Sequence, residues 1–247
     1  MKKIIAAILL ATTCYSMVAC GNNASTENNA QTESQTEIVT TVLSNEAYNL
    51  SQIAYDNINV AYDIIADYAA DIYEAWRIGI YEDDELLENG VAVLASELSL
   101  SQEEIAYGIG YLACTMIIWD EEWTEETAKD TKDTFTPELA NTIFPIMEDN
   151  MFSFCVEIVK ATYFVTGRVE LAQTSLDNAK TKMKELSMNH NDYEHYQNLK
   201  GYYTTACSLF DFCENPEGSF ESINVTINDY RTKIRDYLNE LDYIFEN

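Results

Sequence analysis

The chain has 247 residues, of which 42 are acidic and 14 are basic, and its formal net charge at pH 7 is −28. A field of this sign repels nucleic acids and anionic lipids, which excludes a nucleic-acid-binding protein and favours cations, a basic partner or merely a solvated surface. The excess of acidic residues is unevenly distributed along the chain. Residues 20–128 hold 22 acidic residues and one basic residue, whereas residues 129–247 hold 20 acidic and 11 basic residues.

The first 20 residues have the layout of an export signal. Lys2 and Lys3 precede an uncharged run over residues 4–19, which is shorter than the roughly 20 apolar residues of a membrane-spanning helix. The run leads into Met17-Val18-Ala19-Cys20-Gly21, which resembles a bacterial lipobox except that lipoboxes prefer leucine at its first position. The resemblance implies cleavage before Cys20 and a diacylglycerol on its sulfur, and two acyl chains make a stable anchor. The alternative is an ordinary cleaved signal in which Cys20 is incidental.

The sequence therefore predicts a signal peptide over residues 1–19 and a protein anchored by lipid to the extracytoplasmic face of the cell membrane. Residues 20–37 are predicted to be a flexible, disordered tether. The segment after the cysteine, GNNASTENNAQTESQT, contains no aromatic residue and no aliphatic residue larger than alanine, so it cannot bury enough apolar surface to fold.

From residue 38 the apolar residues recur at steps of three and four, which indicates one long amphipathic helix. The stripe consists of Leu43, Ala47, Leu50, Ala54, Ile58, Ala61, Ile65, Tyr68, Ile72 and Ala75. An acidic row accompanies it, formed by Asp63, Asp67, Asp71 and Glu74. Like charges at this spacing disfavour a helix slightly, so we expect the row to face water. A straight helix lacks the turning loop of a calcium site, so we expect no tight divalent ion there and no cofactor.

The middle of the chain is predicted to contain shorter helices. Residues 87–98 form one stripe, and Ser101-Gln102-Glu103-Glu104 is a capping box before an uncharged run at residues 105–119. Acidic residues flank that run and it is too short to span a bilayer, so we interpret it as a buried helix rather than a membrane-inserting segment. Gly108 and Gly110 would weaken this helix unless another backbone packs against them.

The last hundred residues are predicted to form long helices. An apolar stripe from Phe154 to Leu186 indicates a single helix of about 35 residues, with lysines near its end that suit the helix dipole. Residues 192–213 and 223–244 hold two further stripes, separated by a turn at residues 215–218. Strand-like alternation is not sustained anywhere. We therefore predict an all-α fold in which residues 38–247 form an elongated antiparallel bundle of about five to six helices.

Reactive residues give little indication of chemistry. Beyond Cys20 the cysteines are Cys114, Cys155, Cys207 and Cys213. They match no zinc pattern and lie in predicted helices, so we interpret them as buried thiols rather than disulfides. The two histidines, His190 and His195, are expected to be exposed and would not share a helix face. No nucleophile elbow or glycine-rich phosphate loop occurs, so the sequence does not indicate an enzyme.

Tyrosine is unusually frequent, with 17 copies, and most copies fall on helical stripes where an amphipathic ring suits a bundle interface. Four of them are candidates for an aromatic patch that binds an unknown protein partner, namely Tyr193, Tyr196, Tyr202 and Tyr203.

Two regions resemble uncharacterised helical cell-surface lipoproteins of Clostridia-like bacteria. Residues 75–82, AWRIGIYE, are similar to a Trp-x-x-x-Ile-Tyr-Glu segment of those proteins. A second similarity combines Asp192-Tyr193, Tyr202-Tyr203 and the turn Asn215-Pro216-Glu217-Gly218-Ser219 before a final helix. The resemblance spans residues 72–82 and about 178–245. It implies a lipid anchor and a helical bundle, and it brings no catalytic residue with it.

These observations predict a membrane-anchored lipoprotein that acts as a non-enzymatic surface interaction or structural module. The alternative is a membrane-active helical protein similar to a pore former, or an enzyme without a recognisable motif.

Overall fold

A computed structural model describes residues 28–81, 83–117, 134–146, 151–190 and 192–245. Regular secondary structure in these residues is entirely helical, which confirms the predicted all-α fold. The chain divides into two units, Met1–Thr41 and Val42–Asn247. In the first unit the description covers helical backbone from residue 28, and in the second it covers the helices that enclose the core.

The described residues hold eight α-helices and one short 3₁₀ helix. They are α1 (Asn28–Tyr81), α2 (Asp83–Glu97), α3 (Gln102–Ile117), α4 (Pro137–Ile143), the 3₁₀ helix Phe144–Ile146, α5 (Met151–Val165), α6 (Arg168–Asn189), α7 (Tyr196–Glu214) and α8 (Phe220–Phe245). This is more than the predicted five to six helices, because α4 is a separate short helix and because one long predicted helix is divided.

The predicted stripe of α1 is its buried face. Ala54, Ile58, Ala61 and Ile65 have no exposed surface, and small alanines on this face let neighbouring helices approach closely. The start of the helix differs from the prediction, because α1 begins at Asn28 and includes residues 28–37 of the predicted tether. That stretch contains no glycine or proline, and its alanine, glutamine and glutamate residues are compatible with a helix.

The prediction of one unbroken helix from Phe154 to Leu186 is wrong. The helix ends at Val165 and a new one starts at Arg168, with Gly167 between them in the left-handed region at φ 77°. Glycine adopts this conformation without the penalty that a Cβ atom brings. The apolar stripe continues across the break because Val165 is buried and Val169 packs against the core, so periodicity alone does not reveal it.

The start of α3 follows the predicted capping pattern. The Ser101 hydroxyl accepts a hydrogen bond of 3.2 Å from the Glu104 amide, and the Glu104 carboxylate accepts one of 2.8 Å from the Ser101 amide. Further along, a Cβ atom at Gly108 would lie 2.9 Å from the Ile158 carbonyl oxygen of α5. The predicted close backbone approach therefore holds at Gly108, whereas the neighbour of Gly110 is the Phe135 ring.

Three consecutive helices, α6, α7 and α8, form the part of the bundle that carries the candidate site. α6 packs against α7, and α7 packs against α8. The connection between α6 and α7 is tight. The His190 amide donates a hydrogen bond of 2.8 Å to the Leu186 carbonyl, and the Tyr196 amide donates one of 3.1 Å to the Tyr193 carbonyl. A short connection keeps the end of α6 next to the start of α7.

Candidate functional site

An open groove with a volume of about 350 Å³ lies between the C-terminal half of α6 and the N-terminal half of α7. The α6 residues that line it are Lys180, Met183, Lys184, Ser187 and Met188, and the α7 residues are Tyr196, Lys200, Tyr203 and Thr204. Each set recurs at steps of three and four, so each occupies one face of its helix. The groove is therefore a direct consequence of two helical faces meeting beside a short turn.

The floor of the groove is apolar and polarisable. Met183 is nearly buried, Met188 is 74% exposed, and the rings of Tyr196 and Tyr203 are half-buried. Methionine side chains adapt to different apolar shapes, and tyrosine rings offer a large contact area with a polar end. This floor suits an apolar ligand surface better than a fully polar one.

Positive charge surrounds this apolar floor. Lys180, Lys184 and Lys200 are exposed, and within the described ranges none of them forms a salt bridge. Lys182 on α6 is neutralised, since it lies 2.9 Å from Glu185, and Lys160 on α5 lies 2.9 Å from Glu157. Three cations without a salt bridge around one groove stand out in a chain of net charge −28. The arrangement can attract an anionic group.

The groups beside the groove stay protonated near neutral pH. Burial raises the pKa of the Tyr203 hydroxyl, and the hydrogen bond shared with Cys207 and the negative charges of Asp177 and Asp211 raise it further. Burial also raises the pKa of the Cys207 thiol, against the smaller opposing effects of Tyr203 and Lys180. A protonated thiol is a poor nucleophile. The groove thus presents hydrogen-bond donors and cations, which serve binding, and its thiol is not activated for covalent chemistry.

The structure divides the predicted tyrosine patch. Tyr196 and Tyr203 line the groove, whereas Tyr193 lies outside it, next to the His195 ring at 5.5 Å between centroids. Tyr202 does not fit the prediction, because it has no exposed surface and donates a hydrogen bond of 2.8 Å to Asn59. Successive residues of a helix point about 100° apart, so Tyr202 enters the core while Tyr203 reaches the groove.

A second polar cluster surrounds Asp71, and here the predicted exposure is wrong. Asp63 and Asp67 are exposed, but Asp71 is only 3% exposed. Its carboxylate accepts hydrogen bonds from the Ser99 amide at 2.9 Å, the Ser99 hydroxyl at 2.7 Å and the Tyr163 hydroxyl at 2.9 Å. Burial raises the pKa of Asp71, while these three hydrogen bonds oppose the shift.

The contacts around this cluster connect α1 with α5, α6 and the segment before α3. The Tyr163 ring stacks on the Tyr68 ring, with 4.3 Å between the ring centroids. The Arg168 guanidinium lies 5.1 Å from the centre of the Tyr163 ring and forms a salt bridge of 2.5 Å with the Glu104 carboxylate. The Ser99 and Tyr163 donors point to the Asp71 carboxylate, and burial raises the pKa of Tyr163 as well. The cluster therefore stabilises the packing of these helices and does not activate a nucleophile.

The histidines occupy different environments from those expected. His190 was expected to be exposed but is buried, with 8% of its surface exposed, and its Nε2 atom lies 3.8 Å from the Glu46 carboxylate. His195 is half-buried and borders a second cavity of about 630 Å³ at the end of α8, which Glu194, Asn198, Asn239, Glu240, Tyr243 and Ile244 also line. Among the residues that the structure describes, no three His, Cys, Asp or Glu side chains come together as a metal site.

The cysteines agree with their interpretation as buried thiols. Cys114, Cys155 and Cys213 are buried, and Cys207 is half-buried. Cys207 and Cys213 carry free thiols, and burial raises the pKa of Cys213.

Over the described ranges, no helix is both long enough and apolar enough to cross a membrane.

Comparison with protein-family models, with curated proteins and with solved structures finds no match for this chain. Cys20 and the predicted signal peptide lie outside the described residues, so the lipid anchor and the resemblance to helical lipoproteins stay predictions.

Proposed function

We propose that the protein is a lipid-anchored, non-enzymatic binding module that engages a partner on the extracytoplasmic face of the membrane through the groove between α6 and α7. The observation that carries the proposal is the set of three lysines without salt bridges around a floor of methionine and tyrosine. Lys180, Lys184 and Lys200 all face solvent, so they add nothing to the core beyond the favourable position of the α6 lysines near the C-terminal end of their helix. The groove has the mixed apolar and polar character of a binding site.

The chemistry of the groove favours binding over catalysis. The Tyr203 hydroxyl in the groove and the Cys207 thiol beside it have raised pKa values. The lysines around the groove can orient an anionic group but cannot accept a proton from it. The proposed anchor at Cys20 adds a reason for a surface role. It would hold the bundle near the membrane while the net charge of −28 keeps it from adhering to anionic lipid headgroups.

Site-specific photo-crosslinking on intact cells tests this function. A photoreactive amino acid replaces Met188 in the groove or, as a matched control, Leu171 on the same helix. Both side chains are largely exposed, at 74% and 52%, so neither replacement disturbs the core. We expect a discrete crosslinked species from position 188 that is absent from position 171. Identical products from both positions, or no product from position 188, would contradict the proposed function.

A further inference from the structure

We propose that the partner segment which occupies the groove is an acidic amphipathic helix of another protein. The inference rests on the proposed function and adds the chemistry of the partner. Three properties of the groove support it, namely its dimensions, the distribution of charge across it and its openness to solvent.

The dimensions match a short stretch of helix. The lining of α6 runs from Lys180 to Met188 and that of α7 from Tyr196 to Thr204, which is roughly 12 Å along each helix at 1.5 Å per residue. A helix that lies in a groove uses apolar anchors at positions i, i+4 and i+7, which span roughly 10.5 Å. The volume of about 350 Å³ accommodates a few apolar side chains. Two turns of a partner helix would therefore cover the floor.

Charge lies on both sides of the floor. Lys180 and Lys184 project from α6, and Lys200 projects from α7. An amphipathic helix with acidic residues on each side of its apolar stripe would place a carboxylate opposite each set of lysines. Two acidic residues, Asp177 and Asp211, also act on Tyr203 in the groove, so the three lysines outnumber the acids that act there. Acidic residues more than about 8 Å away are largely screened at physiological ionic strength.

The open geometry favours a helix over a free lipid. An isolated acyl chain gains most when protein encloses it on all sides, whereas this groove is open to solvent and Met188 is 74% exposed. A helix would cover that exposed methionine and leave its own polar face in water. The same methionines would adapt to different aliphatic anchors, so specificity would come mainly from the acidic positions.

Peptide binding to the purified full chain tests the inference. The probe is a fluorescein-labelled synthetic helix of about 14 residues, with leucines at positions i, i+4, i+7 and i+11 flanked by glutamates. One control peptide carries glutamine in place of every glutamate, and another has the same composition in scrambled order. The overall charge of −28 disfavours any acidic peptide, so non-specific attraction cannot produce a preference for the acidic helix.

We expect fluorescence anisotropy to show the tightest binding for the acidic helix. The double variant Lys184→Ser/Lys200→Ser should weaken this binding about threefold to tenfold, as expected for two exposed charge pairs. The matched variant Lys233→Ser/Arg235→Ser removes the same charge from an exposed face of α8 and should leave binding unchanged.

Three results would overturn the inference. They are equal binding of the acidic and glutamine peptides, unchanged binding by the Lys184→Ser/Lys200→Ser variant, and displacement of the peptide by the fatty acid dodecanoate. The last result would assign the groove to an anionic lipid. In the wild-type protein a crosslink from position 188 reports any partner that occupies the groove, whatever its chemistry. A crosslink there together with a negative peptide result would therefore reject the acidic helix while the proposed binding function stands.

Discussion

The hydroxyl of Tyr163 donates a hydrogen bond of 2.9 Å to the carboxylate of Asp71, a residue 92 positions earlier in the chain. The bond joins α5 to α1 inside the core, where an unsatisfied carboxylate oxygen would be costly. It therefore adds a polar link between α1 and α5 to the stacking of Tyr163 on Tyr68.

Replacing this tyrosine tests the coupling. The Tyr163→Phe variant keeps the ring that stacks on Tyr68 but removes the donor, and we expect its free energy of unfolding to fall by about 2 kcal/mol. Urea unfolding followed by far-UV circular dichroism measures the change. The control Tyr81→Phe alters a ring that is 68% exposed and should have almost no effect. Equal losses in the two variants would contradict a special role for the buried bond.

The raised pKa of Asp71 predicts a particular dependence of stability on pH. The folded state binds the Asp71 proton more tightly than the unfolded state, whose pKa is near 3.8. The stabilising contribution of this proton is complete below that value and is lost as the pH rises through the folded pKa. Because Asp71→Asn does not titrate, its stability relative to the wild type should increase as the pH rises from about 4 to 7.

Urea unfolding at several pH values measures this relative stability. The side-chain amide that Asp71→Asn introduces would place a donor against the donors of Ser99 and Tyr163, which adds a penalty that does not change with pH. Asp67→Asn, an exposed change of the same charge one turn away, serves as the control. A constant difference between Asp71→Asn and the wild type across this range would show that Asp71 titrates alike in both states.

Sequence periodicity predicts the helices well but misplaces Asp71 for a geometric reason. Each four-residue step turns 400°, so the row Asp63, Asp67, Asp71 drifts about 40° per step around α1. The drift moves Asp71 from the outer face to the core, beside the buried Tyr68 and Ala75 of the apolar stripe. Its partners lie 28 and 92 residues away in the chain, and no local pattern could reveal them.

The groove was only partly predictable for a similar reason. The sequence indicates Tyr196 and Tyr203 as surface aromatics, and both line the groove. The lysines of α6 suit the helix dipole, and that local explanation conceals their proximity to Lys200. The groove exists only once α6 and α7 pack side by side, which depends on the turn at residues 192–195 rather than on either helix alone.

The contact at Gly108 predicts an unusual response to alanine. Alanine normally favours a helix over glycine by about 1 kcal/mol, but at this position its Cβ atom would lie 2.1 Å from the Thr162 hydroxyl oxygen. We expect Gly108→Ala to destabilise the fold by about 2 kcal/mol through overpacking against α5. Thermal and urea unfolding would measure it. Asn178→Ala, at an exposed position of α6, should be neutral or slightly stabilising, and a stabilised Gly108→Ala would argue against the close packing of α3 and α5.

The proposed anchor predicts the cellular location. If Cys20 carries the lipid, Cys20→Ala should move the protein from the membrane fraction to the soluble or secreted fraction, because the tether offers no other apolar anchor. Fractionation and detergent partitioning measure the shift, and Cys207→Ala controls for the loss of a thiol. Unchanged membrane association of Cys20→Ala would remove the anchor from the account.

Crosslinking in a charge-altered background tests the central claim, which is that the basic groove between α6 and α7 binds the partner. The photoreactive residue at position 188 is combined with Lys184→Ser/Lys200→Ser, and in parallel with Lys233→Ser/Arg235→Ser, on intact cells. We predict that the product from position 188 falls about threefold or more in the first background and stays constant in the second. A product of equal yield in both backgrounds would contradict the claim that these lysines recognise the partner.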